Sequence, residues 1–279
     1  MNMWIGLPGT MREIVDGAAS FDRSPDLSVT EFRALSGGVT TWAPPVQPRR
    51  LKLGWSAMAA GDVAHLDRLA RRIDAPGPVA LVDPLARNLL SGAQGAGLGA
   101  SAKWAWSGND IILYGGDFGA HVPVTVSVEN VPASLGPDLY WQHPVWPGYP
   151  VTPGMVVTWW APGLVANGAP IAQHRMQWID ATGTTTSTAT STGAAPIVRT
   201  VPAGVAFVRP AVRFSAVGLW ILGASIFATS DVSAELVRGA PVTVGEGCPA
   251  FSITRYSHAA SPGDGRYRDI GLELVEVTR

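Results

Sequence analysis

Four aromatic side chains crowd into one proline-rich stretch, Tyr140-Trp141-Gln142-His143-Pro144-Val145-Trp146-Pro147-Gly148-Tyr149-Pro150. Flat ring faces stack on the apolar faces of sugars, and the neighbouring Gln142 and His143 can hydrogen-bond hydroxyls. Tyr140, Trp141, Trp146 and Tyr149 are therefore the candidate glycan-contacting residues. The same residue types crowd protein–protein contacts, so these rings equally suit the edge of a sheet or a neighbouring subunit. Trp159 and Trp160 are consecutive. In a strand they point to opposite faces, one toward a core and the other toward an interface or groove.

No catalytic constellation accompanies these rings. The chain holds no HExxH, GxSxG, P-loop or EF-hand pattern. Gly92, Gly95, Gly97 and Gly99 suggest a nucleotide-binding loop at first sight, but residue 100 is Ala where a GxGxxG pattern needs Gly. The five histidines, His65, His121, His143, His174 and His258, have no second histidine or cysteine at i+2 or i+4 as a metal-ligand neighbour. His65 lies off the apolar stripe of a helix and reads as solvated. His174 shares a strand face with Met176 and Trp178 and reads as a core or interface histidine rather than a base. Asp110 and Asp117 flank a strand and a Gly-Gly turn, and nothing brings them together as a glycosidase pair. Asp264, in Gly263-Asp264-Gly265, suits a turn and could alternatively help hold a structural calcium. Neither a catalytic residue, a cofactor site nor a metal site is expected, and the chain is read as a non-enzyme.

Composition narrows the setting. Of 279 residues, 47% are hydrophobic, enough for a buried core, and only 15% are charged, well below the usual quarter. Low charge without low hydrophobicity points to surface covered by neighbouring subunits. The net charge of −1 offers no excess of cations for phosphates, so nucleic acid is not an expected partner. The single cysteine, Cys248, excludes an intrachain disulfide and reads as a small buried apolar residue. Met1 to Met11 lacks the pattern of a secretory leader. The longest apolar run, Val217 to Ala228, is shorter than the ~20 residues a membrane-spanning helix needs.

Many short strands separated by turns must position the aromatics. Leu51, Leu53 and Trp55 alternate with Lys52 and Gly54, a half-buried strand. One helix follows, Gly61 to Ile73, with Val63, Leu66, Ala70 and Ile73 at helical spacing, Asp62 in its first turn and Arg71 and Arg72 in its last. Pro44-Pro45-Val46-Gln47-Pro48 excludes helix, and Ser36-Gly37-Gly38-Val39-Thr40 reads as a turn. Ser91 to Ala102, rich in Gly, Ala and Ser, reads as a linker or loop. Strands are expected at Asp110–Tyr114, Val122–Val128, Met155–Trp160, Ile171–Ile179, Ile197–Val201, Val205–Phe214, Leu219–Ala228, Ala234–Val237, Phe251–Tyr256 and Ile270–Val277. Thr182 to Gly193, almost purely Thr, Ser, Gly and Ala, reads as a long, mobile hairpin tip. This spacing of strands and turns argues for a sandwich.

Two groups of segments carry a family resemblance. Leu35-Ser36-Gly37-Gly38-Val39-Thr40, Pro48-Arg49-Arg50-Leu51-Lys52-Leu53-Gly54-Trp55, the helix, Pro78-Val79-Ala80-Leu81-Val82-Asp83-Pro84 and Asn88-Leu89-Leu90 resemble, in that order, minor tail and distal tail proteins of siphophages. That resemblance implies a small β-barrel-like, ring-forming domain with one helix. Pro150-Val151-Thr152-Pro153-Gly154, Trp178-Ile179-Asp180-Ala181-Thr182-Gly183, Val201-Pro202-Ala203-Gly204 and Gly245-Glu246-Gly247-Cys248-Pro249 are similar to turns of galactose-binding-type jelly rolls. The aromatic usual near the last turn of such modules is replaced here by Thr243 and Val244.

The expected fold is mainly β. Residues 1–90 form the ring-forming barrel-like domain, 91–102 a linker or loop, and 103–279 a β-sandwich jelly roll. The resemblance implies a structural protein of the virion at a phage tail tip. It would be a homo-oligomeric ring, hexameric by expectation, beside the tail tube, the tape-measure protein and other tail-tip proteins, with host cell-wall carbohydrate as a further partner. The alternative is a dedicated carbohydrate-binding adhesin.

Overall fold

The structure, a computed structural model, describes residues 3–25, 29–42, 48–83, 87–115, 121–132, 136–261 and 266–277. Asp117, Asp264 and Pro44 to Gln47 lie outside the described residues. In chain order the elements are β1 (Met3–Gly6), β2 (Arg12–Ile14), β3 (Ser20–Pro25), β4 (Thr30–Arg33), β5 (Val39–Trp42), β6 (Arg49–Met58), α1 (Ala60–Ala70) and β7 (Val79–Val82). Then come α2 (Gly92–Ala96), a 3-10 turn at Ser101–Lys103, β8 (Trp104–Trp106), β9 (Ile111–Tyr114), β10 (Thr125–Val128), β11 (Asp138–Trp141), β12 (Tyr149–Pro150), β13 (Val156–Trp160) and α3 (Pro162–Ala166). The chain continues with β14 (Ile171–Ile179), β15 (Thr185–Thr190), β16 (Ile197–Thr200), β17 (Phe207–Phe214), β18 (Gly218–Ile221), β19 (Ile226–Ala228), α4 (Ser233–Val237), β20 (Ala250–Ala260) and β21 (Arg268–Glu276).

The chain is mainly β, as its alternating patterns require, and divides into two compact units. One comprises Asn2–Leu7, Arg12–Leu81 and Pro249–Arg279, and the other Pro8–Met11 and Val82–Cys248. This differs from the division expected at 91–102. The last two strands return to the first unit, where β21 pairs with β6 and β20 with β7. Long non-local pairings of this kind leave no mark in a local pattern.

The first unit is a seven-stranded sheet, ordered β2-β1-β7-β20-β21-β6-β3, with α1 packed on it. Alternation sets its buried side: Leu51, Leu53 and Trp55 of β6 are buried and Lys52 is exposed. They meet Leu66 and Leu69 of α1 and Ile270, Leu272 and Leu274 of β21 in one core. Among the described residues the sheet runs open from β2 to β3 rather than closing into a barrel. Helix α1 ends at Ala70, earlier than the Ile73 expected from spacing, because Arg72 turns to φ +55. Ile73 is left exposed. His65 is not simply solvated: its Nε2 lies 2.9 Å from the carbonyl of Ile5. Among the described residues strands β4 and β5 pair only with each other, through the expected turn at Gly37 (φ +84), and all eight of their residues are exposed.

The second unit is a β-sandwich. Its larger sheet runs β15-β14-β17-β11-β8, with β12 also on β17, and a three-stranded sheet β16-β13-β19 supplies the facing layer. A further sheet is ordered β18-β10-β9. The two layers meet through aromatic rings. Trp141 of β11 and Trp159 of β13, both fully buried, pack edge to face with centroids 4.6 Å apart. The Trp159 indole N–H donates to the Ala211 carbonyl at 2.8 Å. Trp160, one residue on, points the other way, is partly exposed and donates to the Ala194 carbonyl.

Ser91 to Ala102 is not a linker. Ser91 and Gln94 form a capping box that starts α2, and Gly97 ends it at φ +69. The glycines serve close packing: a Cβ on Gly97 would stand 2.5 Å from the Gly223 carbonyl oxygen, and one on Gly95 3.2 Å from the Gly245 nitrogen. Thr182 to Gly193 is likewise no mobile tip. The turn at Thr182-Gly183 is tied to the Asp180 carboxylate, which accepts from the backbone N–H of Thr182 and of Thr184 at 2.9 Å, and β15 then pairs along β14. Residues 234–237, expected as a strand, lie in the short helix α4, whose Leu236 is buried against Ile226 and Val232.

Candidate functional site

Two strands of the larger sheet are apolar on one side and polar on the other. In β14 His174, Met176 and Trp178 are buried, while Gln173, Arg175 and Gln177 are partly exposed. In β17 Val208, Val212 and Phe214 are buried, and Arg209 and Arg213 are partly exposed. Because side chains alternate and paired residues share a side, register decides what meets. Gln177 lies opposite Arg209, Arg175 opposite Ala211 and Gln173 opposite Arg213. From β11, Asp138 lies opposite Arg213 and Tyr140 opposite Ala211. The outer face of the sheet therefore gathers Asp138, Tyr140, Arg175, Gln177, Arg209 and Arg213 around the short side chain of Ala211.

These groups form one connected network. The Arg213 guanidinium grips Asp138 with two parallel bonds, Nε to Oδ1 and Nη2 to Oδ2, each 2.8 Å. Arg175 donates from Nη1 to the same Oδ2. The Tyr140 hydroxyl donates to Asp138 Oδ2 at 3.1 Å and accepts from Gln177 Nε2 at 3.3 Å. The Gln177 Oε1 accepts from Arg209 Nε at 3.0 Å and Nη2 at 2.7 Å. The Arg209 guanidinium carbon lies 4.8 Å from the Tyr140 ring centroid, a cation–π stack. Partial burial, seconded by the Asp138 charge, raises the Tyr140 pKa, so its phenol stays a neutral donor. Thr188 and Thr190 of β15 border the face beside Gln177 and Arg175.

The four aromatics expected to act together are separated by the fold. Tyr140 alone contributes to this outer face. Trp141, its neighbour, points inward and is fully buried. Tyr149 is also buried. Its hydroxyl donates to Gln94 Oε1 at 3.0 Å, while Gln94 Nε2 donates to the carbonyls of Lys103 at 2.9 Å and Gln142 at 2.7 Å. Burial raises the Tyr149 pKa. Trp146 is partly buried, stacked on His143 at 4.9 Å and packed against Phe207. Trp141 and Tyr149 are thus core residues, because register places them opposite the buried Trp104 and Val208.

His143 and His174 are held neutral. His143 Nδ1 accepts from the N–H groups of Val145 and Trp146, both at 3.1 Å. Its Nε2 must then carry the proton and donate to the Cys248 carbonyl at 2.7 Å. Burial lowers its pKa to about 4. His174, buried as expected, accepts from the Ala161 N–H at Nε2, and burial lowers its pKa to about 4 as well. Among the described residues no three His, Cys, Asp or Glu side chains gather as metal ligands, and no helix is long and apolar enough to cross a membrane. Asp110 sits in a turn, bonded to Asn130.

Sequence reasoning missed Asp138, Arg175, Gln177, Arg209 and Arg213. The signal was present as polar residues at even spacing in otherwise apolar strands, every second residue in β14 (Gln173, Arg175, Gln177) and four apart in β17 (Arg209, Arg213). A second outward surface is apolar: Leu219 and Ile221 of β18 and Ile112 and Tyr114 of β9 flank Thr125 and Ser127, and all four are exposed.

No family model and no curated protein matches the chain. Among solved structures, it aligns with a carbohydrate-binding module of the β-sandwich superfamily, over 81% of this chain and 91% of that one, at 13% identity and a TM-score of 0.28.

Proposed function

We propose that the protein is a binding protein whose sandwich holds carbohydrate on the outer face of the larger sheet. The observation that carries this reading is the Asp138–Tyr140–Gln177–Arg209 network. A half-exposed ring stands among donors and acceptors whose positions are already fixed. Sugars need a flat apolar surface for their C–H faces and oriented partners for their hydroxyls. A network fixed before binding leaves less side-chain freedom to lose when the ligand arrives. The test is binding of the purified chain to a glycan array, followed by titration of the best ligand into Tyr140→Ala. Binding that weakens at least tenfold in a variant with unchanged circular dichroism supports the reading. Absence of any glycan ligand, or full affinity in Tyr140→Ala, overturns it.

A second reading is a structural subunit that assembles into a ring at a phage tail tip, beside the tail tube and tape-measure protein. Two specific observations favour assembly. The β4–β5 hairpin exposes Phe32, Val39 and Trp42 while pairing with no other strand among the described residues, and two-stranded hairpins are marginal in water by themselves. The apolar outer side of β9 and β18 is also uncovered. Light scattering across a concentration series tests this. Oligomers that dissociate on Phe32→Ser with Trp42→Ser support it, and a monomer at all concentrations refutes it. The readings are compatible, since they use different surfaces.

A further inference from the structure

The outer face concentrates positive charge in a chain that has almost none to spare. The whole sequence carries a net charge of −1. On this face three guanidinium groups, of Arg175, Arg209 and Arg213, stand against the single carboxylate of Asp138, an excess of two positive charges. Arg175 and Arg213 both spend their charge on Asp138. Arg209 does not: among the described residues it has no carboxylate partner. Its hydrogen bonds go instead to the neutral amide of Gln177.

Arg209 is nevertheless held in place. Its Nε and Nη2 converge on Gln177 Oε1, and its central carbon lies over the Tyr140 ring. A guanidinium has five N–H donors. Two are used by Gln177, so three remain, on the two terminal nitrogens. That pair of nitrogens is the edge that presents two parallel donors to an oxyanion. A neutral sugar would leave the Arg209 charge uncompensated and partly desolvated, whereas an acidic one would neutralise it.

We propose that the ligand of this face is an anionic glycan, a polymer bearing sugar carboxylates, and that Arg209 recognises the carboxylate through its terminal nitrogens while Tyr140 stacks on a ring. This rests on the carbohydrate reading above and names the class of sugar. The outward edge of the Arg209 guanidinium matches one singly charged, planar oxyanion, which a sugar carboxylate supplies. A nucleic acid would meet too little basic surface, given the overall charge.

The probe is polygalacturonate, compared by calorimetry with its fully methyl-esterified, neutral form, with a neutral galactan, and with single-stranded DNA of similar length. Charge-assisted bonds to one guanidinium predict polygalacturonate binding about tenfold to a hundredfold tighter than the ester. The preference should shrink between 50 and 500 mM salt (roughly a threefold change in screening length). Arg209→Gln should abolish the preference, and Arg209→Lys should restore only part of it, because a lysine keeps the charge and loses the fork. Esterification alters the ligand alone, so the comparison holds even if a variant folds poorly. Equal affinity for acid and ester, or for polygalacturonate and DNA, overturns the proposal while leaving the carbohydrate reading intact if the galactan binds. Failure of every glycan overturns both.

Discussion

Replacing Trp141 and Tyr140 separately by Ala should give opposite results, although the two are adjacent. Trp141 is fully buried and packs edge to face on Trp159 at 4.6 Å. Emptying such a site costs about 3–5 kcal/mol. Its indole N–H has no partner in the core, so the loss includes no hydrogen bond. A buried unpaired N–H is itself unfavourable by ~1–3 kcal/mol. The expected cost of Trp141→Ala is therefore near the lower end, about 3 kcal/mol, and Trp141→Phe, which removes the orphan donor and keeps a ring, should cost under ~2 kcal/mol. Three kcal/mol lowers the folding constant by roughly two powers of ten. Tyr140→Ala removes a half-exposed ring and should cost about 1–2 kcal/mol. The assay is urea unfolding followed by tryptophan fluorescence, with glycan binding measured on the same samples. If Trp141→Ala kept full stability and lost binding, while Tyr140→Ala did the reverse, the assignment of inner and outer sides would be wrong.

Further outcomes follow from the same geometry. Gln94→Ala should cost about 3 kcal/mol in a thermal or urea melt, because it strands the Tyr149 hydroxyl and the carbonyls of Lys103 and Gln142 at once. His143 and His174 titrate near 4 when folded, below the 6.5 of the free side chain, so the unfolded chain binds more protons between these values. Their neutral burial favours folding fully above pH 6.5 and loses that contribution as pH falls toward 4, by an amount on the order of 3 kcal/mol per histidine. Urea midpoints recorded from pH 7 to pH 4 should fall accordingly, and a flat profile would contradict the burial of both rings. Phe32→Ser and Trp42→Ser, on the exposed hairpin, should each change stability by less than ~0.5 kcal/mol in the same urea assay.

Much of the fold was legible because burial on one side of a sheet writes itself as alternation. The strand Ile171–Ile179 has the bounds its pattern predicts, and Leu51, Leu53 and Trp55 share the core as their spacing requires. What was not legible depends on contacts far away in sequence. Nothing near Phe251 or Ile270 shows that β20 and β21 return to β7 and β6. The glycines at 95 and 97 look like flexibility and are instead close approaches to Gly245 and Gly223. The threonine run after Asp180 looks mobile because its residues are small and polar, yet its carboxylate-tied turn starts an edge strand. For the site, aromatic density drew attention to 140–149, where two of the four rings turned out to be core. The more telling pattern was quieter. Gln173, Arg175 and Gln177, with Arg209 and Arg213, are polar residues that alternate through buried strands, and only register brings them to Asp138 and Tyr140.

The most direct measurement is a map of amide chemical-shift changes in the isotope-labelled chain as an acidic glycan such as polygalacturonate is added. Binding on the outer face of the larger sheet should move the signals of Tyr140, Arg175, Gln177, Arg209 and Ala211 together, and saturate with one affinity. Changes confined to the loop around Trp146, or to the β4–β5 hairpin, or none at saturating glycan, would contradict it.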